Sequence, residues 1–322
     1  MKKFTKVSLI ITAVLLAVGI GLIAVAGVMS GGLGKLHEQA MAGEFDFGNW
    51  HIGNGVWYSE EEWDDDWDNF VGIGFGNTTL TGGNESTTDT FLMSDIDKIT
   101  VDTDLADISF VTSADVDHAI VTMERGFLKH YSVEIKDGTL LIKYDTHNQS
   151  YEFGPNITIK LPESIDMNTI DVDTALGDIN MKNIEISCKN FELDTDLGDI
   201  TLTNVKMNCN MSLYTDLGDV VIEDGEYQAV DAKTALGDVK LSGSFNGDIE
   251  AESDLGDVKV ELDAKEEYYN YELSTDLGSV RLNGKSYSDG GDLGAHQTFE
   301  NSGAIYDVEL NTSLGDVSVV TK

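Results

Sequence analysis

The sequence predicts an all-β fold. It reads as a parallel β-solenoid (β-helix) of ~20-residue coils with an inserted antiparallel β-meander, preceded by an N-terminal transmembrane helix. Three observations carry the solenoid. The first is a six-residue pattern, Thr-Asp-Leu-Gly-Asp-Ile/Val, with copies starting at Thr103, Thr174, Thr195, Thr215, Thr234, Ser253, Thr275 and Thr312. From the second copy to the seventh, the starts lie 21, 20, 19, 19 and 22 residues apart, which marks a stack of like units. The second is alternation within a unit. In "FELDTDLGDITL", Phe191, Leu193, Thr195 and Leu197 fall on one face of a period-2 strand and Glu192, Asp194 and Asp196 on the other. Ile200 and Leu202 resume the inward set, so the phase changes at Gly198-Asp199. The third is that no part of the unit carries an apolar stripe of helical period. The 33 glycines beside 2 prolines suit many short strands and tight turns.

The chain divides into three parts. Residues 1–30 form the membrane anchor. Lys2, Lys3 and Lys6 precede an uncharged apolar run of 23 residues, Val7 to Met29, long enough for a bilayer core that needs about 20. The flanking lysines keep the N-terminus cytoplasmic and place the rest outside, in a single-pass arrangement. The alternative is a signal peptide cleaved after Ala24-Val25-Ala26. Residues 31–90 read as an acidic, aromatic-rich tether. They hold all four tryptophans, Trp50, Trp57, Trp63 and Trp67, which pack on the next domain or dock a partner. Residues 91–322 form the solenoid. A meander is expected over 109–168, where 71 residues separate Thr103 from Thr174, and a polar loop over 284–304.

Each motif position has an expected role. Leu and Ile/Val stack inward. The Thr hydroxyl bonds the next Thr of the stack. Gly permits a close backbone approach or an unusual φ, with Ala106 the exception among eight copies. Cys188 precedes Thr195 by 7 residues and Cys209 precedes Thr215 by 6. They therefore occupy matching places on neighbouring coils, as a disulfide or as two stacked thiols.

Net charge bounds the function. With 58 acidic and 20 basic residues the chain carries −38, which repels nucleic acid and anionic lipid and attracts cations. The fifth-position aspartates form a ladder, and two readings of it stand. Each carboxylate caps its corner by accepting a backbone N–H. Alternatively Asp196, Asp199, Asp216, Asp219, Asp254 and Asp257 line a weak divalent-cation ladder, with calcium the one candidate cofactor. The six histidines are scattered, and neither HExxH nor GxSxG occurs. Identical aspartates in every unit do not suit acid–base catalysis, which needs two carboxyls in unlike environments.

The TDLGD(I/V) repeat behind a short N-terminal membrane segment resembles a bacterial family of β-strand-repeat envelope proteins labelled "putative adhesin", a domain of unknown function. The resemblance covers about residues 91–322. It implies a parallel β-solenoid at the cell envelope and brings no functional residues. The expected function is a non-enzymatic binding or sensing scaffold outside the membrane, with an envelope or cationic ligand and no nucleic acid. A carbohydrate-active β-helix enzyme and a structural spacer are the alternatives.

Overall fold

The computed structural model describes residues 44–47, 50–53, 56–59, 83–146, 153–287 and 294–322. The chain splits into two compact units, Met1–Thr79 and Leu80–Lys322. The expected membrane run, Val7 to Met29, lies outside the described residues, as do Trp63 and Trp67. Among the described residues no helix is long and apolar enough to cross a membrane. In the first unit the strands Glu44–Phe47, Trp50–Gly53 and Val56–Ser59 form a three-stranded antiparallel sheet. Phe47 pairs with Trp50 and Gly53 with Val56.

The second unit is two facing sheets, one of 14 strands and one of 11, predominantly parallel. Each coil gives one strand to each sheet. Asn190–Leu197 lies in the 11-stranded sheet and Ile200–Met207 in the other, joined through the Gly198-Asp199 corner. Period-2 alternation fills the core between them. Phe191, Leu193 and Thr195 point in from one strand, Ile200 and Leu202 from the other. Register pairs stack like on like, with Val172 on Leu193 and Leu193 on Leu213. Each fully buried Leu or Val of this column contributes roughly 1.5–3 kcal/mol. Cys188 and Cys209 are disulfide-bonded across neighbouring coils, with Cα atoms 5.5 Å apart. Closing that loop stabilises by about 3 kcal/mol in the chain-entropy account.

The order of coils differs from the order of copies at both ends. The insert is not wholly an antiparallel meander. Its strands Thr139–Tyr144 and Asn156–Leu161 pair parallel with Lys98–Thr103 and Asp107–Thr112. They make an extra coil, stacked outside the first motif-bearing one. Only His118–Gly126 and Tyr131–Lys136 run antiparallel within the insert. At the far end the last copy slides inward. Tyr306–Leu314 pairs with Ile249–Leu255 on one side and Tyr269–Leu277 on the other, so the seventh copy is outermost. The expected polar loop over 284–304 instead supplies two strands, Lys285–Tyr287 and Ala295–Phe299, which pair antiparallel with that outer coil. Glu85–Leu92, which straddles the expected start at residue 91, adds an antiparallel strand at the near end. Antiparallel strands thus close both ends, as a stack with exposed parallel edges requires.

Candidate functional site

The motif folds into one corner, repeated along the stack. Its first residue is buried in all eight copies, from Thr103 at 4% exposure to Thr312 at 6%. The hydroxyls do not chain from Thr to Thr as expected. Thr195 Oγ1 donates to the Gly177 carbonyl at 3.0 Å, and Thr215, Thr234 and Thr312 repeat this to Gly198, Gly218 and Gly256 at 2.9 Å. Of the eight motif hydroxyls only that of Thr103 donates to another motif threonine, Thr174, at 2.8 Å. The carbonyl wins because the corner turns the Gly peptide toward the coil above, and an unpaired buried carbonyl is costly.

Glycine is required by that same approach. A Cβ built on Gly198 would lie 2.0 Å from the Gly177 carbonyl oxygen, and one on Gly237 would lie 1.9 Å from that of Gly218. Every motif glycine faces the corner of the coil before it. Ala106 has no motif corner before it, because the coil on that side passes through Pro155, whose carbonyl accepts from Asp107 N–H.

The fifth-position aspartates are bonded rung to rung. Asp178 Oδ1 accepts from Asp199 N–H at 2.9 Å, Asp199 from Asp219 at 2.7 Å, and Asp219 from Asp238 at 2.8 Å. Asp238 accepts from Asp257, Asp257 from Asp316, and Asp316 from both the N–H and hydroxyl of Ser279. The capping expectation therefore describes how these carboxylates are held. Burial pushes Asp238 up, but Lys240 at 2.9 Å and the Asp257 N–H outweigh it and hold the carboxyl below its usual range. Asp316 is lowered likewise, burial being outweighed by Ser279 and Arg281.

The third residue departs from expectation. Leu176, Leu197, Leu217, Leu236, Leu255, Leu314 and Leu277 stack in register, yet each is 37–44% exposed. The chain bends immediately after the buried Thr, and pairing skips the second motif residue, so a period-2 count carried past Thr inverts. The seven leucines form a ridge along the outside of the corner. Second-position Asp196, Asp216, Asp254 and Asp276 stand exposed on one side, and the fifth-position aspartates on the other. The expected cation-ladder residues are thus divided by the ridge. Asp196, Asp216 and Asp254 lie on one flank, Asp199, Asp219 and Asp257 on the other. Among the described residues no three His, Cys, Asp or Glu side chains converge as a metal ion needs.

A second acidic feature lies on the outer face of the 11-stranded sheet. Asp102, Asp173 and Asp194 stand in one column. Partial burial, then Asp173, Asp196, Glu192 and Asp216 around it, raise Asp194 to about 6. Further along, a shallow groove of 660 Å³ is lined by residues including Asn270, Glu272, Glu300 and Glu309.

The family profile described as Toastrack DUF4097 matches residues 154–320, just over half of the chain. The chain belongs to the Toastrack DUF4097 family. No curated protein matches it. Among solved structures, it is similar to a "putative adhesin" of Bacteroides fragilis, at 13% identity over 74% of this chain and 99% of that one, with a TM-score of 0.42. A "putative cell adhesion protein" of Clostridium sporogenes gives 14% identity over 74% and 99%, with a TM-score of 0.29. A "putative lipid binding protein" of Parabacteroides distasonis gives 14% over 74% and 95%, with a TM-score of 0.31.

Proposed function

We propose that this Toastrack chain is a non-enzymatic, adhesin-like scaffold of the cell envelope. Residues 7–29 anchor it in the membrane, and the solenoid presents a repeated acidic face outside. The observation that carries this reading is the corner itself. Seven rungs in register each expose a leucine, with a carboxylate at the fifth motif position in six of them and at the second in four. Rungs of one repeated pattern bind repetitively, whereas catalysis needs unlike carboxyls side by side. Cationic ligands are favoured by the net charge of −38, and nucleic acid is disfavoured.

The test uses the full chain in lipid nanodiscs against immobilised cationic peptides, anionic peptides and glycans. Retention on the cationic peptides is expected, weakening with salt and with Asp196→Asn/Asp216→Asn/Asp254→Asn. Release of reducing sugar from the glycans would favour the β-helix enzyme, and retention on no ligand would favour the spacer; either result overturns the reading.

A further inference from the structure

The leucine ridge is the feature the fold leaves least explained. The third motif position is Leu in all eight copies, although seven of these side chains are more than a third exposed. The neighbouring outward positions are not constrained in this way. The second position is Asp, Ala or Ser, and the residue before the motif is Asp194, Tyr214, Lys233, Glu252, Ser274 or Asn311 in successive copies of the sequence. Packing on the adjoining leucines accounts for their buried portion. It does not account for one apolar residue type repeated at the outer rim.

Resting on the reading above, we propose that the ridge is the docking line for a basic amphipathic helix of a peptide or protein partner. Spacing selects a helix. Rungs recur every ~4.8 Å, so seven leucines make a line about 29 Å long. Same-face residues of an extended strand recur about every 6.7 Å and lose register within two or three rungs. Turns of a helix recur every 5.4 Å and slip by less than one rung over the whole ridge. About 19 helical residues cover it.

Charge selects the flanks of that helix. Asp196, Asp216, Asp254 and Asp276 on one side, and Asp178, Asp199 and Asp257 on the other, have no ion pair among the described residues, unlike Asp219, Asp238 and Asp316. An apolar stripe bordered by Lys or Arg on both edges meets ridge and carboxylates together. A second copy would bring acid against acid, and an anionic membrane surface would do the same.

The probe is a labelled 19-residue peptide of Leu and Lys with leucines at helical spacing, titrated onto the full chain in zwitterionic nanodiscs. A peptide of the same composition with strict Leu-Lys alternation is the comparison. The helical peptide should bind the native chain and bind Leu217→Ser/Leu236→Ser/Leu255→Ser at least tenfold more weakly. The charge of that variant and the lipid background are unchanged. Equal affinity for both chains, or equal affinity of the alternating peptide, would overturn the proposal. If the triple variant loses cooperative unfolding, Leu236→Ser alone replaces it, with at least about threefold weakening expected. A concentration-dependent dimer that the leucine variants abolish would assign the ridge to a second copy and also overturn it. Cationic binding that survives the leucine variants but not Asp196→Asn/Asp216→Asn/Asp254→Asn would sink the ridge and leave the acidic-face function standing.

Discussion

Replacing Gly218 by Ala tests the corner in the middle of the stack. The new Cβ would lie 2.0 Å from the Gly198 carbonyl oxygen and 2.6 Å from its carbon, where ordinary contact begins at 3.4 Å. The rung must move by about 1.4 Å, beyond what a hydrogen bond tolerates. The bonds that meet there are Gly218 N–H to Leu236 O at 3.0 Å, Asp219 N–H to Asp199 Oδ1, Thr215 Oγ1 to Gly198 O and Thr234 Oγ1 to Gly218 O. Losing three of them at about 1 kcal/mol each predicts a loss near 3 kcal/mol. Gly284→Ala is the internal control. Gly284 has φ +76° and nothing within 4 Å of its built Cβ. It therefore carries the left-handed penalty alone, about 1–2 kcal/mol. Urea unfolding of the full chain in nanodiscs, followed by far-UV circular dichroism, compares the two. If Gly218→Ala costs no more than Gly284→Ala, close approach is not what makes glycine obligatory at the corner.

Two further predictions concern charge. Asp194 is raised to about 6, so the folded chain holds its proton more tightly than the unfolded chain does. Its ionisation weakens the fold above that pH, and the penalty fades as pH falls from about 6 toward 4. Asp194→Asn should therefore raise the unfolding midpoint at pH 8 and leave it unchanged near pH 4; a benefit independent of pH would show that the carboxylate's charge is not the cause. Sodium chloride should stabilise the native chain by screening its carboxylates. Calcium at matched ionic strength should add a small further shift through the exposed flanking aspartates, and identical midpoints in the two salts would exclude a divalent ladder.

Much of the fold was legible because the signals are local and repeated. Period-2 alternation puts Leu193 and Ile200 in the core, and both are fully buried. The coil spacing puts Thr195 over Thr215 and Cys188 beside Cys209, and both pairings occur. The leucine was misplaced for an equally local reason. Alternation is a property of a straight strand, and the strand bends just after Thr, three residues before Gly. The meander was half legible. "TLLIKY" and "NITIKL" do alternate, but alternation does not report whether a partner strand is parallel. The groove near Glu272 and Glu300 joins a motif strand to the residues around the far-end cap, which no spacing in the sequence connects.

The exceptions to the motif carry more topology than the matches. The corner is directional. Each glycine leaves room for the carbonyl of the coil on the Ala106 side, while each fifth-position carboxylate accepts the N–H of the coil on the other side. A coil with no motif corner behind it is free to carry a Cβ, and Ala106 carries one. A coil with no motif corner ahead has no N–H to accept, and needs only to donate backward. Ser279 donates its N–H and its hydroxyl to Asp316, both at 2.9 Å. Ser279 therefore marks the outermost coil, although it belongs to the seventh copy and not the eighth. Read this way, the single Ser among fifth positions signals that the copy at Thr312 lies inside the copy at Thr275, before any pairing is known. The same logic explains why the intervening rungs scarcely vary. Each serves two neighbours at once, so a change at Gly or Asp disturbs a bond in one coil and a close contact in another. The ridge leucine is under no such demand from the corner, since no hydrogen bond or close backbone approach depends on its identity. Its repetition is therefore what the corner leaves to be explained, and a partner laid along the ridge is the explanation proposed above.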